Sequence, residues 1–274
     1  MWPFLLCSMP TWADYHIIRR NEPHREIHCM FADDAGGTSM TTFDPPFIFP
    51  MDEFGNRRIV MRLTSIGCLN LPCNISQQHK NNTIYVDGMP YQLRTGCYTE
   101  PGDLSREIGN ILGNGGESVN LQVDNLGHVT QCGNGILFLP VRFAGKDILQ
   151  SLPEMLGYAT DNAPLIKIQQ HECLLVRPRD VALRPCDMWG AFAQLLVRCN
   201  QLTYTEEMQQ TICVLPVAAY PKGQHIFFVN SGLGLTVNDV PELRMLGLDL
   251  CDRYGRVVQF AAGRPWASVQ LMAI

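Results

Sequence analysis

The amino-acid sequence predicts an all-β protein, and three observations support that prediction. Roughly ten or more short segments alternate between apolar and polar residues, at intervals of about 8–15 residues, as strands joined by turns do. Only one or two segments have helical periodicity. The 18 prolines and 23 glycines are spread along the chain, as turns between short strands require. Among all-β architectures, this pattern favours a jelly-roll β-sandwich with one or two short helices.

The N-terminal segment has no apolar period. Residues 1–24 mix aromatic residues, prolines and paired arginines, so we expect an extended N-terminal arm, followed by one domain over residues 25–274 with elaborated loops. The aromatic side chains of the arm have no core of their own, and they either pack back on the body or insert into a partner. They are Trp2, Phe4, Trp12 and Tyr15.

Strand patterns begin directly after the arm. In REIHCMFA, the residues Ile27, Cys29 and Phe31 recur at every second position and are expected on one face of a half-buried strand. Three prolines and a turn at 52–56 lead into a second strand over 58–66. The segment NNTIYVDGMPYQL predicts a hairpin, because Asp-Gly is favoured in type I′ turns, whose central residues need positive φ.

Two segments carry helical signals. Asp103 is the expected N-cap of the first helix, and Gly113 is expected to end it. The second lies in LQSLPEMLGY, where Ser151 and Glu154 have the spacing of a capping box and Gly157 suits a left-handed stop. We interpret this serine and glutamate as the two ends of one helical turn rather than as a catalytic pair. The apolar residues at helical spacing in the first helix are Leu104, Ile108, Ile111 and Leu112.

The rest of the chain predicts strands and one clear hairpin. In LDLCDRYGRVVQF, alternating leucines lead into a turn at 252–255, and Val257, Val258 and Phe260 form the expected return strand. The other predicted strands are 118–123, 128–131, 137–143, 165–169, 173–176, 192–199, 211–216, 225–229 and 267–272.

Composition and charge limit the class of protein. The 274 residues are 46% hydrophobic and 17% charged, which predicts a packed core. The net charge of −5 argues against direct nucleic-acid binding, which usually needs a basic face. The 11 cysteines are odd in number, irregularly spaced and without a C-x-x-C pair, so we expect reduced thiols in a reducing compartment. No apolar run is long enough for a secretory signal or a membrane span.

The stretches that could carry chemistry each have a simpler interpretation. The glycines of GNILGNGGES follow a helix and lack the lysine of a phosphate loop, so a helix stop and turn are expected. Two clusters contain metal-ligand types, His28-Cys29 with Asp33-Asp34, and His171-Glu172-Cys173, but neither has a second pair at defined spacing. The paired carboxylates Asp33-Asp34 and Glu206-Glu207 lie in polar stretches, as solvated loops do. No G-x-S-x-G occurs, and we predict no catalytic, cofactor-binding or metal-ligating residue.

Three longer stretches resemble, in this order, elements of a known family. YQLRTGCYTEPGDLSREIGNIL resembles a G-x-Y element with a helix ending in N-x-L. LPVRFAGKDILQSLPEMLGY resembles a strand and an S-x-x-L turn, and LRMLGLDLCDRYGRVVQFAAG resembles a strand with a D-x-x-G-R-x-V-x-F hairpin. The set is similar to the penton-like minor capsid proteins of Polinton/Maverick elements and adintoviruses, which look like relatives of the vertex proteins of virophages and adenoviruses. One departure lies in WGAFAQLLVRCNQL, which lacks a proline before its paired leucines.

The resemblance implies a structural virion protein rather than an enzyme. It implies a jelly-roll subunit that forms a homopentamer at icosahedral vertices and is assembled in the host cytoplasm or nucleus. Its arm would contact the major capsid protein, and it would need no cofactor, membrane span or contact with the genome.

Two other functions compete with the capsid interpretation. A carbohydrate- or receptor-binding β-sandwich would use exposed aromatic residues on loops, such as Trp189 or Trp266. A cupin-like enzyme would need histidine and acidic residues that converge in one pocket.

Overall fold

The computed structural model describes residues 24–31, 37–48, 58–113, 118–161, 163–199, 211–229, 235–238 and 242–273. The predicted arm therefore lies outside the described residues, except that His24 begins the first strand. Strands predominate in this part of the chain, and the all-β prediction is confirmed.

The strands are β1 (His24–Met30), β2 (Thr38–Ile48), β3 (Arg58–Leu69), β4 (Thr83–Val86), β5 (Met89–Gln92), β6 (Leu121–Val123), β7 (Val129–Gln131), β8 (Leu137–Phe143), β9 (Lys146–Asp147), β10 (Leu165–Ile168), β11 (His171–Val176), β12 (Leu195–Cys199), β13 (Thr211–Leu215), β14 (His225–Val229), β15 (Leu235–Asn238), β16 (Glu242–Cys251) and β17 (Trp266–Ala273). The helices are α1 (Pro101–Leu112) and α2 (Leu152–Met155), with 3₁₀ turns at Gly190–Phe192 and Val217–Ala219.

Two antiparallel sheets form a sandwich. The front sheet has the strand order β1-β17-β3-β14, with β15 also paired to β3, and the back sheet has the order β13-β12-β16-β2. Alternation directs one face of each sheet inward. In the front sheet Leu63 and Val269 are buried, and in the back sheet Val197 and Leu248 are buried; all four belong to one apolar cluster. The two sheets therefore share a core, and Cys199 Sγ contacts Met61 Sδ across it at 3.9 Å.

The pairing of the sandwich strands is that of a jelly roll. Taken in chain order, the eight long strands pair first with last and inward from there: β1 with β17, β2 with β16, β3 with β14, and β12 with β13. Such a chain is one long antiparallel hairpin wrapped into two sheets. The predicted jelly-roll sandwich is confirmed.

A large insertion interrupts the sandwich between β3 and β12. It has its own sheet, of order β10-β11-β8-β4-β5, a small β6-β7 ribbon and both α-helices. Its buried side chains form a second apolar cluster, to which Ile84, Leu104, Leu139 and Val176 belong. The sandwich and the insertion thus have separate cores.

One asparagine joins the start of the insertion to its end. Asn74 Nδ2 donates to the Met188 carbonyl at 2.7 Å and to the Tyr98 carbonyl at 2.6 Å, while its Oδ1 accepts from the Tyr98 N–H at 2.9 Å. Asn74 is itself buried. The two ends of the insertion therefore lie side by side, and the insertion leaves and rejoins the sandwich at one place.

Some local predictions are wrong. Helix α1 begins at Pro101, not after Asp103, because proline suits the first helical turn; Asp103 instead accepts hydrogen bonds from Thr99 and Lys222. The return strand expected over 257–260 is reduced to isolated bridges at Val257 and Phe260. The sequence patterns also do not predict β2, whose prolines are tolerated because β2 is an edge strand.

Candidate functional surfaces

The serine and glutamate of LQSLPEMLGY form a capping box on α2, as predicted. The two halves are unequal. Glu154 Oε2 accepts the Ser151 N–H at 3.0 Å, whereas the Ser151 hydroxyl faces the Glu154 amide without good hydrogen-bond geometry and has no other partner in the described part of the chain. Ser151 is buried, and the pair shows no arrangement for nucleophilic chemistry.

Gly157 follows α2, and two features require a glycine at this position. Its φ of 82° lies in the left-handed region, and a Cβ on it would lie 2.0 Å from the Arg184 carbonyl oxygen. The Arg184 N–H donates to the Gly157 carbonyl at 3.0 Å, so the two segments are packed backbone to backbone. The glycine is required by the fold, not by a ligand.

The His171-Glu172-Cys173 cluster is not arranged as a metal site. His171 Nδ1 is 2.9 Å from the Tyr85 hydroxyl, and burial lowers the pKa of His171. Burial raises the pKa of Cys173 to about 12, which disfavours the thiolate that a metal would need. Glu172 instead accepts from Arg142 at 3.1 Å.

The other predicted clusters also separate. His28 is exposed on the outer face of the front sheet, where Nδ1 lies 2.7 Å from Ser268 Oγ, while its neighbour Cys29 is buried on the inner face. Asp33-Asp34, Glu206-Glu207 and the glycines at 115 and 116 lie outside the described residues. Gly113 ends α1 with φ 69°, as predicted.

In the ranges that are described, no three His, Cys, Asp or Glu side chains converge as a metal site would require. No helix in these ranges is long and apolar enough to cross a membrane.

The cysteines of the described ranges are not joined by disulfides. Most are buried, and burial raises the pKa of Cys68, Cys73, Cys97 and Cys251 to about 11. These thiols act as small apolar groups within the packing.

A buried histidine lies where the insertion meets the sandwich. His79 belongs to the insertion, and its ring packs edge-on against Phe192 of the sandwich core at a centroid distance of 5.3 Å. Its Nε2 has no hydrogen-bond partner among the described atoms. Burial, reinforced by Arg256 and opposed by Asp252, lowers the pKa of His79 to about 4. Asp252 and Arg256 form an ion pair at 2.6 Å beside it.

The outer face of the front sheet carries an apolar row, which we call the front row: Met30, Trp266, Gly67 and Phe227. These residues are direct cross-strand neighbours on β1, β17, β3 and β14. Phe227 is 60% exposed and Met30 is 47% exposed. The Phe227 and Trp266 rings lie 5.7 Å apart, and Trp266 covers Gly67 so closely that a Cβ there would lie 2.5 Å from the indole nitrogen. Val229, in the next row, is 62% exposed.

The outer face of the back sheet also carries exposed apolar side chains. Met40 on β2 is 51% exposed and pairs with Gly247, while Met245 on β16 is 43% exposed and pairs with Thr42. The two methionines are therefore diagonal neighbours, and Gly247, opposite Met40, is buried. We call Met40 and Met245 the methionine pair.

The two tryptophans considered for ligand binding differ in position. Trp189 is partly buried against the sandwich core, and its carbonyl accepts from Gln150 at 3.1 Å. Trp266 lies on strand β17 rather than on a loop, and it is partly exposed. The aromatic residues of the arm lie outside the described ranges.

Comparison with known proteins finds similar chains among solved structures. No protein-family model matches the chain. No curated protein matches it. The chain is similar to the crystal structure of the selenomethionine-labelled mavirus penton protein, with 8% identity and a TM-score of 0.40, over 92% of this chain and 100% of that chain. At this level of similarity we transfer no residue role from that protein.

Proposed function

We propose that this chain is a structural virion protein, a penton-type jelly-roll subunit that assembles as a homopentamer at capsid vertices. The observation that carries the proposal is the sandwich with exposed apolar side chains on both outer faces, the front row and the methionine pair. Contiguous exposed apolar residues on a soluble fold indicate contact surfaces.

A ring explains why two different faces are apolar. In a closed ring each subunit uses two unlike surfaces, one for each neighbour, whereas a two-fold dimer uses one surface twice. The front and back faces lie on opposite sides of one sandwich, so a single molecule cannot bring them together. A cyclic assembly would cover both.

The ordered sequence motifs support the same proposal. The first two, at 91–112 and 139–158, fall in the insertion, where they build β5, α1, the β8-β9 hairpin and α2. The third, at 243–263, builds β16 and the turn after it. The motifs that resemble penton-like capsid proteins therefore span both parts of the molecule.

The arm and the capsid setting complete the proposal. Residues 1–24 would contact neighbouring major capsid proteins through their aromatic side chains, and the assembled protein would reside in the virion. A net charge of −5 fits a subunit that does not bind the genome.

The oligomeric state of the purified full-length chain tests this function. We expect light scattering after size exclusion to give five times the mass of the 30.8 kDa chain, and negative-stain images to show closed five-membered rings. A strictly monomeric protein at high concentration, with no ring in the images, would contradict the proposal.

A second candidate is a carbohydrate- or receptor-binding function, which a vertex protein could combine with assembly. The partly exposed Trp266 beside Phe227 is the aromatic surface that favours it, because sugars stack on such rings. A glycan array tests it: binding that is lost in Trp266→Ala supports it, and a silent array removes it.

A further inference from the structure

We propose that the contact between the insertion and the sandwich is an acid-sensitive junction. In mild acid His79 gains a proton, and the insertion separates from the sandwich while both cores stay folded. This inference does not depend on the proposed ring function, because it concerns contacts within one chain.

The junction is mainly polar in the described part of the chain, whereas each unit has its own apolar cluster. The ring of His79 packs on Phe192, and Lys222 Nζ of the sandwich donates to Asp103 Oδ2 of α1 at 2.9 Å. The side chain of Gln150 accepts a backbone N–H of the sandwich at 3.1 Å. Units with separate cores and a polar contact can part before either core unfolds.

His79 is the group of this junction that a proton would disrupt. It is 5% exposed, and its Nε2 has no hydrogen-bond partner among the described atoms. Two charged groups of the sandwich act on it: Arg256, which opposes a positive charge, and Asp252, which is already paired with Arg256 at 2.6 Å. On its own segment, the ammonium of Lys80 lies instead over the Phe143 ring at 5.7 Å. Burial, together with Arg256, lowers the pKa of His79 to about 4, so the closed junction holds the ring neutral.

Separation of the two units would return this ring to water, where a histidine is protonated below about pH 6.5. Between pH 6.5 and about 4 the open form therefore binds a proton that the closed form does not, and acid favours the open form. Each pH unit in this range raises the ratio of open to closed molecules about tenfold, which gives about 100-fold between pH 6.5 and 4.5.

The ion pair of the junction responds to acid in a different range. Burial raises the pKa of Asp103, but the hydrogen bonds from Lys222 and from the Thr99 N–H, with Arg106 nearby, outweigh it and lower the pKa below 3.8. The carboxylate is therefore still charged where His79 begins to gain its proton. Asp103 contributes to the strength of the junction at pH 4.5 and above, but not to its pH dependence there.

Three buried cysteines report which part of the chain opens. Cys97 lies at the junction, where the charges of Lys222 and Asp103 act on it, and it belongs to neither apolar cluster. Cys199 lies in the sandwich core, and Cys173 lies in the sheet of the insertion. Because all three are buried, a thiol reagent reaches each one only when its surroundings open.

Thiol labelling of the full-length wild-type chain tests the junction. A dipyridyl disulfide reagent is applied between pH 6.5 and 4.5, labelled peptides are mapped by mass, and each rate is divided by that of the unfolded chain at the same pH. We expect the rate at Cys97 to rise about 100-fold across this range and to exceed the rates at Cys199 and Cys173 throughout. Equal rates at the three cysteines would show that the whole chain unfolds at once, and a constant rate at Cys97 would exclude acid sensitivity; either result overturns the inference.

Two variants separate the titrating role of His79 from a structural one. His79→Gln should remove most of the acceleration at Cys97, because glutamine does not titrate. Asp103→Asn is the matched control, since it weakens the junction equally at both pH values and should raise the rate at Cys97 while leaving the acceleration. An acceleration that persists in His79→Gln, or that disappears in Asp103→Asn, would overturn the assignment to His79.

A titration of the wild type keeps the test independent of whether the glutamine variant folds. The ring signals of His79, followed by nuclear magnetic resonance, should change over the same pH range in which Cys97 becomes accessible. A His79 that gains its proton while Cys97 stays protected would overturn the coupling of protonation to opening.

Discussion

His79 places an uncharged imidazole in the contact between two folded units. The side chain is 5% exposed, and its ring faces Phe192 on one side and the Asp252–Arg256 ion pair nearby. Protonation would add a positive charge next to Arg256 without a hydrogen-bond acceptor at Nε2 in the described part of the chain. The folded protein therefore holds this group neutral well below the pH at which a free histidine gains its proton.

This depressed pKa predicts a loss of stability in mild acid. The pKa of His79 falls from 6.5 to about 4 on folding, so between these pH values the unfolded chain binds the proton and the folded chain does not. The free energy of unfolding should drop by about 3 kcal/mol as pH falls from 6.5 to 4 through this residue alone. Denaturant melts across this range should show a shallower pH dependence in His79→Gln than in the wild type. Equal slopes in the two proteins would contradict the assignment.

Two glycines with the same φ are expected to lose different amounts of stability when they are replaced by alanine. Gly157 and Gly88 both have φ 82°, but a Cβ at Gly157 would collide with Arg184, whereas nothing lies within 4 Å of one at Gly88. Gly88→Ala should cost about 1 kcal/mol, the penalty of a left-handed conformation. Gly157→Ala should cost about 3 kcal/mol or more, because the backbone contact must also separate. Thermal unfolding of both variants measures the difference, and similar melting temperatures would exclude the collision.

At the scale of elements, α2 shows how a four-residue helix is held in place. A helix this short has little stability of its own. It is fixed by the carboxylate of Glu154 on the Ser151 amide at its start, by buried Leu152 and Met155 along its length, and by Gly157 after its end.

The two halves of the capping box differ in hydrogen bonding, so their substitutions are expected to lower the free energy of unfolding by different amounts. Glu154→Ala removes the 3.0 Å hydrogen bond and should lower the free energy of unfolding by about 1 kcal/mol. Ser151→Ala removes a hydroxyl without good hydrogen-bond geometry, and its cost should be below the ~1 kcal/mol typical of an N-cap. Glu154→Gln should retain most of the stability, because the amide oxygen can still accept. A larger loss in Ser151→Ala than in Glu154→Ala would contradict this order.

Local chemistry explains which elements the sequence predicts. The hairpin of β4 and β5 is confirmed, with φ of 51° at Asp87 and 82° at Gly88, because its turn needs only two adjacent residues. Strands β8 and β14 have the predicted bounds for the same reason. The start of α1 was predicted wrongly although Pro101 gave a local signal, because Asp103 was taken as the N-cap; its carboxylate instead accepts from Lys222, 119 residues away.

The outer surfaces depend on contacts far apart in the chain. Phe227 meets Trp266 only because both strands pair with β3 at Gly67, and Met40 lies beside Met245 only through the pairing of β2 with β16. The sequence marks Trp266 as an aromatic residue of interest, but periodicity cannot show that it lies in a row across four strands. Long-range register is the part of the site that sequence patterns do not contain.

At the scale of the whole molecule, two cores are joined by polar bonds and by the packing of His79 on Phe192. The sandwich core and the insertion core are separate clusters, and Asn74 holds the ends of the insertion together. Gln150 of the insertion also accepts from the Ala191 N–H at 3.1 Å. Because the cores are separate, we expect the sandwich to fold independently of the insertion.

Removal of the insertion tests this independence. A chain in which residues 75–187 are replaced by a short glycine linker should keep a β-rich circular dichroism spectrum and a cooperative melt, at a lower temperature because the bonds to Gln150 and Tyr98 are lost. A control deletion extended to residue 199 removes β12 from the middle of the back sheet and should not fold. A sandwich that unfolds in both proteins would show that the two cores are interdependent.

The hydrogen bonds that Asn74 makes to Tyr98 and Met188 also bear on how the sandwich folds. Strands β3 and β12 are separated in the chain by the whole insertion, and the entropy lost on closing such a loop rises by about 0.6 kcal/mol for each doubling of its length. Once the insertion has folded, its ends already lie together, and the effective loop shortens roughly tenfold, which lowers the closure cost by about 2 kcal/mol. We therefore expect the insertion to aid folding when it forms before the strands of the sandwich pair.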